Sequence, residues 1–475
     1  MRFISGSEDD KLHGYMIAGI TQYGFPFSAE DNIRSSPAGG DVDGDGNNEI
    51  VFGSHDGNLY ILSTNGVQEL AYMQTGYIVG APALVNLDGD EDLEIVFTTQ
   101  NGSNGKVYAI HHDGTDVDGF PVDISEKMLV GAAVGDLEGD GSMDIVVVTW
   151  DDNIHAMNAD GSAKAGFPFQ TGERFNSPPT LVDLDNDGDL EIVAGNDDGE
   201  LYCLNHNGNA MAYFSTGDDI RGGISVADLN DDGSVELLFT GYDDLVHVWN
   251  PTLNAELDGW PIDLGYNSLS GPVTADLDND GDLEVVAAMK QGQLTVFHHD
   301  GSVMNNFPIN FSGDIETTPA IGDLDNDDDF EIIVGTTQGL EVIDIKSEGG
   351  TRDSWKMHRG NPHRNGLYDI TLVSIEPDKD ILPGEFFVSQ NFPNPFNPTT
   401  HVNIQLPEQN NLIVSIYDVS SRLINILAND KLDAGFYSIE WNGKDKFGQA
   451  VPTGVYFMKV VSGDFTATKK MVFIK

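Results

Sequence analysis

The 475-residue chain has a single cysteine, Cys203. An internal disulfide is therefore impossible, and so is a cysteine-based zinc cluster. Cationic side chains are scarce: 23 Lys and Arg stand against 78 Asp and Glu, a net charge of −55. Such a surface repels phosphate backbones and anionic lipid head groups, which argues against nucleic acid or a membrane surface as partner. No apolar run is long enough to read as a transmembrane segment. Helical periodicity is nearly absent. What is present is a hydrophobic content of 39%, with 24 Phe and 14 Tyr, enough for a packed core. The 54 Gly point to many tight turns. The length exceeds one ordinary domain and suits several domains or one large repeat array.

The charge is uneven. Residues 1–375 hold 14 basic and 67 acidic side chains, whereas residues 376–475 hold 9 and 11. Two different bodies are therefore expected. They are joined by a polar, Pro-bearing linker over 369–385, within which Ser374 to Gly384 includes Pro377 and Pro383.

The first body is repetitive. A nonapeptide of type D-x-D-x-D-G-x-x-E recurs seven times, starting at Asp41, Asn86, Asp136, Asp183, Asp228, Asp276 and Asp323. Each copy precedes a short apolar strand such as Ile50-Val51-Phe52 or Ile145-Val146-Val147-Val148. A Gly-bearing turn and an alternating strand follow, as in Asn58-Leu59-Tyr60-Ile61-Leu62. Many units end on an aromatic–Pro step: Phe25-Pro26, Phe120-Pro121, Phe167-Pro168, Trp260-Pro261 and Phe307-Pro308. Four short strands per unit is the size of a propeller blade, and a closed ring removes exposed sheet edges. The expected fold is all-β, a seven- or eight-bladed propeller over 29–368. Residues 1–28 match the later part of a unit without its first strand and acidic loop. They read as a partial blade, either cut short or completing the ring. Met1-Arg2-Phe3 does not open a secretory leader, so a signal peptide and further repeat sequence are expected upstream.

An Asp/Gly-rich run is ordinarily a solvated turn. Seven copies with acids fixed at positions one, three, five and nine need another reason, because a turn alone requires Gly or Asn and the carboxylates repel one another. A hard divalent cation removes that repulsion. Calcium takes six to eight oxygens, alternate side chains of a tight loop converge on one point, and Gly at position six permits the bend. The expected ligands are Asp41, Asp43, Asp45 and Glu49 in the first loop, and Asn86, Asp88, Asp90 and Glu94 in the second. The third offers Asp136, Glu138, Asp140 and Asp144, and the fourth Asp183, Asp185, Asp187 and Glu191. The fifth offers Asp228, Asn230, Asp232 and Glu236, the sixth Asp276, Asp278, Asp280 and Glu284, and the seventh Asp323, Asp325, Asp327 and Glu331. Up to seven Ca2+ ions are expected. Filling all seven would bring the net charge of residues 1–375 from −53 to −39. The second and seventh loops have Glu91 and Asp328 where Gly is wanted. The second is expected to be the weakest, because Glu resists a positive φ more than Asp does.

Each acidic loop here joins two strands, unlike an EF-hand. The pattern resembles the FG-GAP/VCBS repeat family over about residues 4–368, which implies a β-propeller whose calcium ions staple its loops. In the second body, residues 386–475 show alternating stretches such as Val402-Asn403-Ile404-Gln405-Leu406, as in an immunoglobulin-like β-sandwich. The opener Asn391-Phe392-Pro393-Asn394-Pro395-Phe396-Asn397-Pro398 and the ending Lys470-Met471-Val472-Phe473-Ile474-Lys475 resemble the type IX secretion (Por system) C-terminal sorting domain. That resemblance implies the type IX secretion machinery as a partner. It also implies an extracellular or outer-membrane surface location in a Gram-negative bacterium, where calcium is plentiful.

Catalytic motifs are wanting: there is no G-x-S-x-G in a strand–turn–helix setting, no H-E-x-x-H and no phosphate-binding glycine loop. His111-His112 and His298-His299 sit at equivalent hairpins, which favours a structural use. The basic stretch from Trp355 to Gly366 reads as a final strand closing the ring, with Trp355 and Met357 in the core; the alternative is an anchor for an acidic glycan. Cys203 is expected to be a buried apolar residue. The sequence thus points to an adhesion or ligand-binding module for an extracellular protein or glycan. The alternatives are a polysaccharide-degrading propeller such as a lyase, or a scaffold for an effector domain upstream.

Overall fold

A computed structural model describes all residues except 1, 17–19, 23, 91, 326, 351, 353, 369–385, 390, 392, 393, 408, 421, 433, 434, 464 and 475. Glu91 and the expected linker lie outside the described residues. The chain divides into two compact units, Met1–Ser374 and Ile375–Lys475. The described residues contain strands, turns and bends and no helix.

Eight small antiparallel sheets make up the described part of the first unit. Seven contain one acidic loop each, and we number these repeats by their loops. In the second repeat, an inner strand Ala83–Val85 leads through the loop to Glu94–Thr99, then to Lys106–Ile110 and an outer Val122–Asp123. Register pairs Ile95 with Leu84 on one side and with Ile110 on the other. Residues 2–28 form a separate N-terminal sheet of Arg2–Gly6, Lys11–Met16, Ile20–Thr21 and Phe27–Ser28, whose strands pair with one another. This sheet packs on the first repeat, with Leu12, Phe25 and Ile33 against Phe52, Tyr60 and Leu62.

Burial explains the strand sequences. The second strand of a repeat has covered faces and reads as an apolar run: every residue of Glu94–Thr99 and of Asp144–Val148 is buried. The outer strands Gln68–Met73 and Ala210–Ser215 alternate between exposed and half-buried, as an edge facing water should. Each sheet buries its face against the next. Ile61 and Val51 meet Ile95 and Phe97, Val96 and Val107 meet Val134 and Ile145, and Val146 and Ile154 meet Leu181 and Ile192. Cys203 is fully buried in this core.

The aromatic–Pro steps have a packing reason. All five are cis, and each of four follows a glycine pressed onto the next sheet. A Cβ on Gly119 would lie 1.9 Å from the carbonyl oxygen of Asp160, and one on Gly166 would lie 2.1 Å from that of Asn207. Gly24 and Gly259 meet Asn65 and Asp300 in the same way. These glycines also have positive φ, which disfavours a side chain; before the fifth step Asn306 takes the left-handed conformation instead.

The stretch from Ser354 to Tyr368 departs from expectation: it is not a strand completing a sheet. It runs irregularly across the inner strands of many repeats. Trp355 O accepts from Thr274 N, Lys356 O from Ile321 N, Pro362 O from Gly39 N and His363 O from Leu84 N. Asn365 O accepts from Val134 N, and Gly366 O from Leu181 N. A strand serves one neighbouring edge, whereas turns at Arg359-Gly360 and Arg364, all at positive φ, let one segment offer carbonyls to six inner strands. Trp355 is buried as expected, but Met357 only half so. Arg359 is buried and donates to the carbonyls of Gly131, Ala132 and Arg364, while Arg364 donates to those of Pro37 and His358. The basic cluster is therefore spent inside the fold.

The second unit has two sheets. One pairs Phe387–Val388, Thr400–Leu406 and Gly435–Trp441; the other pairs Leu423–Leu432, Asn410–Asp418, Gly454–Ser462 and Phe465–Phe473. They share one core, including Val402, Ile404, Val414, Ile416, Met458 and Val460. The opener and ending motifs meet: Asn394 Oδ1 accepts from Val472 N, Phe396 N donates to Val472 O, and Phe396 packs on Trp441 and Phe473.

Candidate functional site

The acidic loops share one hydrogen-bond plan. The ninth-position acid is buried in all seven, at 0–4% exposure. One of its oxygens accepts from the N–H of position two: Val42 to Glu49 (3.0 Å), Leu87 to Glu94 (2.6 Å), Leu137 to Asp144 (3.1 Å) and Leu184 to Glu191 (2.8 Å). Leu229 to Glu236 (3.0 Å), Leu277 to Glu284 (2.8 Å) and Leu324 to Glu331 (2.6 Å) complete the set. The first-position Asp accepts from positions five and six, as in Asp45 and Gly46 to Asp41, Asp140 and Gly141 to Asp136, Asp187 and Gly188 to Asp183, Asp232 and Gly233 to Asp228, and Asp327 and Asp328 to Asp323. In the sixth loop Gly281 donates to Asp276, and Asp280 accepts from Asp282 N.

The backbone must turn left twice. Position six has φ between 86° and 94° at Gly46, Gly141, Gly188, Gly233 and Gly281, and Asp328 adopts 69°. Position four is also left-handed, at Gly44, Gly89, Gly139, Asn186, Asp231 and Asn279. The sequence reading required the sixth-position turn and missed the fourth. The signal was there, since position four is Gly, Asn or Asp in all seven copies.

These turns bring carboxylates together. Asp41, Asp43 and Asp45 have ligand atoms within 4.8 Å of one another, as do Asp183, Asp185 and Glu191, and Asp325, Asp327, Asp329 and Glu331. Two more groups include a histidine: Asp88, Glu94 and His111, and Asp278, Glu284 and His298. His111 Nδ1 lies 3.2 Å from Glu94 Oε1, and His298 Nδ1 lies 3.1 Å from Glu284 Oε1. The reading of these histidines as hairpin residues thus missed their position against the loop acids. In the fifth loop Asn250 Nδ2 donates to Glu236 Oε1, and Asn230 Nδ2 to Asp232. The second loop departs from the plan: Asn86 Oδ1 accepts from Gly89 N instead, and its amide nitrogen donates to Asp90 O. In the third loop Lys164 Nζ donates to Glu138 and, at 2.7 Å, to Asp144 Oδ1.

The electrostatics favour a cation. Burial first, and then neighbouring carboxylates, push Glu49, Glu191, Glu236 and Glu331 up to about 7, against the loop hydrogen bond, which acts to lower them. Burial likewise raises Glu284 to about 7 and raises Glu94. Asp276 Oδ1, Asp278 Oδ1, Asp329 Oδ1 and Glu331 Oε1 are buried oxygens without a hydrogen-bond partner. Unpaired buried acceptors cost free energy, and a hard cation ligated by oxygens would satisfy them. The nonapeptide donors themselves, carboxylates with two amides, suit calcium, and His111 and His298 stand beside two of the loops.

The opposite ends of the sheets carry a second constellation. There, turns between second and third strands meet the connectors into inner strands. Trp150 N donates to Lys127 O, Asp197 N to Arg174 O and Tyr242 N to Asp219 O. Lys127 Nζ sits 3.2 Å from the Trp150 ring centroid, and Arg174 stacks at 4.9 Å. Trp150 Nε1 donates to Asn176, and the nearly buried Asp197 carboxylate holds Arg174 and Arg221. Arg221 lies over the Tyr242 ring at 5.0 Å. No local sequence pattern marks this group, whose members come from three repeats.

Comparison with known proteins follows this geometry. The fold is that of a β-propeller, and similar solved structures are propellers. BamB from Moraxella catarrhalis matches at 16% identity and TM-score 0.51, covering 72% of this chain and 92% of that one. Sqt1 from Saccharomyces cerevisiae matches at 12% and 0.55, with the same coverages. More particularly, two family models match parts of the chain: an FG-GAP-like repeat over residues 228–287 and 276–334, and a secretion system C-terminal sorting domain over residues 390–475. No curated protein matches the chain. The sorting domain marks it for secretion to the cell surface or beyond. No helix among the described residues is long and apolar enough to cross a membrane.

Proposed function

We propose that the protein is a type IX-exported, calcium-stapled propeller that binds a protein or glycan ligand outside the cell, and that its eight sheets are its blades. The repeated loop geometry supports calcium as a structural ion. The orphaned buried oxygens of Asp276 and Glu331 are the observation that carries this part. The unfolded chain has no formed cages, so ion binding and folding are linked.

The ligand surface is assigned to the ends of the sheets opposite the acidic loops. Lys127, Trp150, Arg174, Asn176, Arg221 and Tyr242 are half-buried there, held in place by Asp197. Rigid aromatic and guanidinium groups are the residue types that dominate binding energy at interfaces. A glycan array and a cell-adhesion assay, run with the whole protein in calcium, test this. Binding that weakens at least tenfold in Trp150→Ala is the expected result. Release of unsaturated uronate from a polysaccharide panel would replace the binding reading with a lyase.

A further inference from the structure

We infer that the third acidic loop carries its own cation, the ammonium of Lys164, and takes no calcium. This rests on calcium in the other loops and separates one loop from them.

Lys164 occupies a place that is apolar in other repeats. Its N–H donates to Ala156 O just as Val117 N does to Ala109 O, Leu257 N to Val248 O and Met304 N to Val296 O. Val117, Leu257 and Met304 bear no charge. Lys164 is 8% exposed and turns its Nζ into the loop, onto Glu138 and Asp144 Oδ1.

The acids of this loop are changed to match. It alone has Glu at position three and Asp at position nine, the reverse of the usual lengths. The longer Glu138 reaches the ammonium, and the shorter Asp144 leaves room for it. The rest of the plan is intact: Leu137 N donates to Asp144 Oδ2, and Asp140 N and Gly141 N donate to Asp136. With Oδ2 held by Leu137 and Oδ1 by Lys164, Asp144 has both oxygens engaged. The ninth-position acids of the second, fifth and sixth loops also have both oxygens engaged, but their second partners are His111, Asn250 and His298; among the described residues the third loop alone sets a lysine ammonium there. A divalent ion entering the third loop would have to sit beside a buried positive charge or expel it.

Calcium stoichiometry by native mass spectrometry on the whole chain is the test. Glu138→Gln is expected to leave the number of bound ions unchanged, while Asp187→Asn in the fourth loop lowers it by one. Lys164→Met, which restores the side chain found at Met304, is expected to raise the number by one. In metal-free buffer Lys164→Met is also expected to melt lower than the parent by roughly 5–10 °C, because it strips the counter-charge from buried acids. Added calcium then restores it. Loss of one ion in Glu138→Gln, or an unchanged count in Lys164→Met, overturns the inference. Should the parent bind no calcium at all, the calcium reading of the other loops fails on its own. The metal-free melting of Lys164→Met still decides the role of the ammonium: an unchanged midpoint overturns it.

Discussion

Single carboxylates set the behaviour of the loops. Glu49, Glu191, Glu236, Glu284 and Glu331 are raised to about 7 by burial, well above the ordinary value near 4.3 that they regain on unfolding. Between these values the folded chain binds more protons than the unfolded one. Stability of the metal-free protein should therefore fall as pH rises from about 5 through about 7. On the proposed reading calcium takes the place of those protons, so saturating calcium should abolish the fall. Melting curves across this range, with and without calcium, check both halves. A metal-free protein whose stability rises with pH in this window would contradict the assignment. Glu191→Gln keeps an acceptor for Leu184 N but removes the charge, and it should bind one calcium fewer by titration calorimetry. The acids themselves were legible because position in the nonapeptide fixes them. His111, His298 and Lys164 were not, since they reach the loops from the third strand or the connector after it, and only the sheet pairing brings them there.

At the scale of the repeat, glycine does two separate jobs. Gly188 turns the loop at φ 93° in open space, so Gly188→Ala meets only backbone strain, about 1–2 kcal/mol. Gly119 adds contact with Asp160 O, 1.9 Å from where a Cβ would lie. Gly119→Ala should therefore destabilise more than Gly188→Ala, as urea unfolding of the two variants would show. Equal losses would mean that the sheets shift apart freely. The strand order within repeats was readable from the sequence, because buried runs and alternating edges have distinct patterns. The Gly before four of the five aromatic–Pro steps was visible as a residue but not as a contact, since its partner lies on the following sheet.

For the whole molecule, charge separates the two units. The acidic loops belong to Met1–Ser374, and the region from 376 onward is nearly neutral. Excess chelator should lower the melting transition of the first unit and leave that of the second in place; a chelator-insensitive first transition would remove calcium from the fold. Phe396→Ala should act on the second transition alone, at about 3–5 kcal/mol, because Phe396 is 1% exposed between Trp441 and Phe473. The fate of the basic stretch could not be read from its sequence. Charge and histidine suggested a surface or an edge, but burial pushes Arg359 down to about 9 and His358 to about 3, and Arg359 and Arg364 donate to the carbonyls of Gly131, Ala132 and Pro37.

The strap from Ser354 to Tyr368 also has a temporal meaning. It follows every repeat along the chain yet is bonded to inner strands as early as Gly39. A nascent polypeptide can assemble its sheets one after another, but the hub that ties them arrives only once the last has been made. Contacts made through the strap can therefore form only after the last repeat has been synthesised, just ahead of the C-terminal sorting domain.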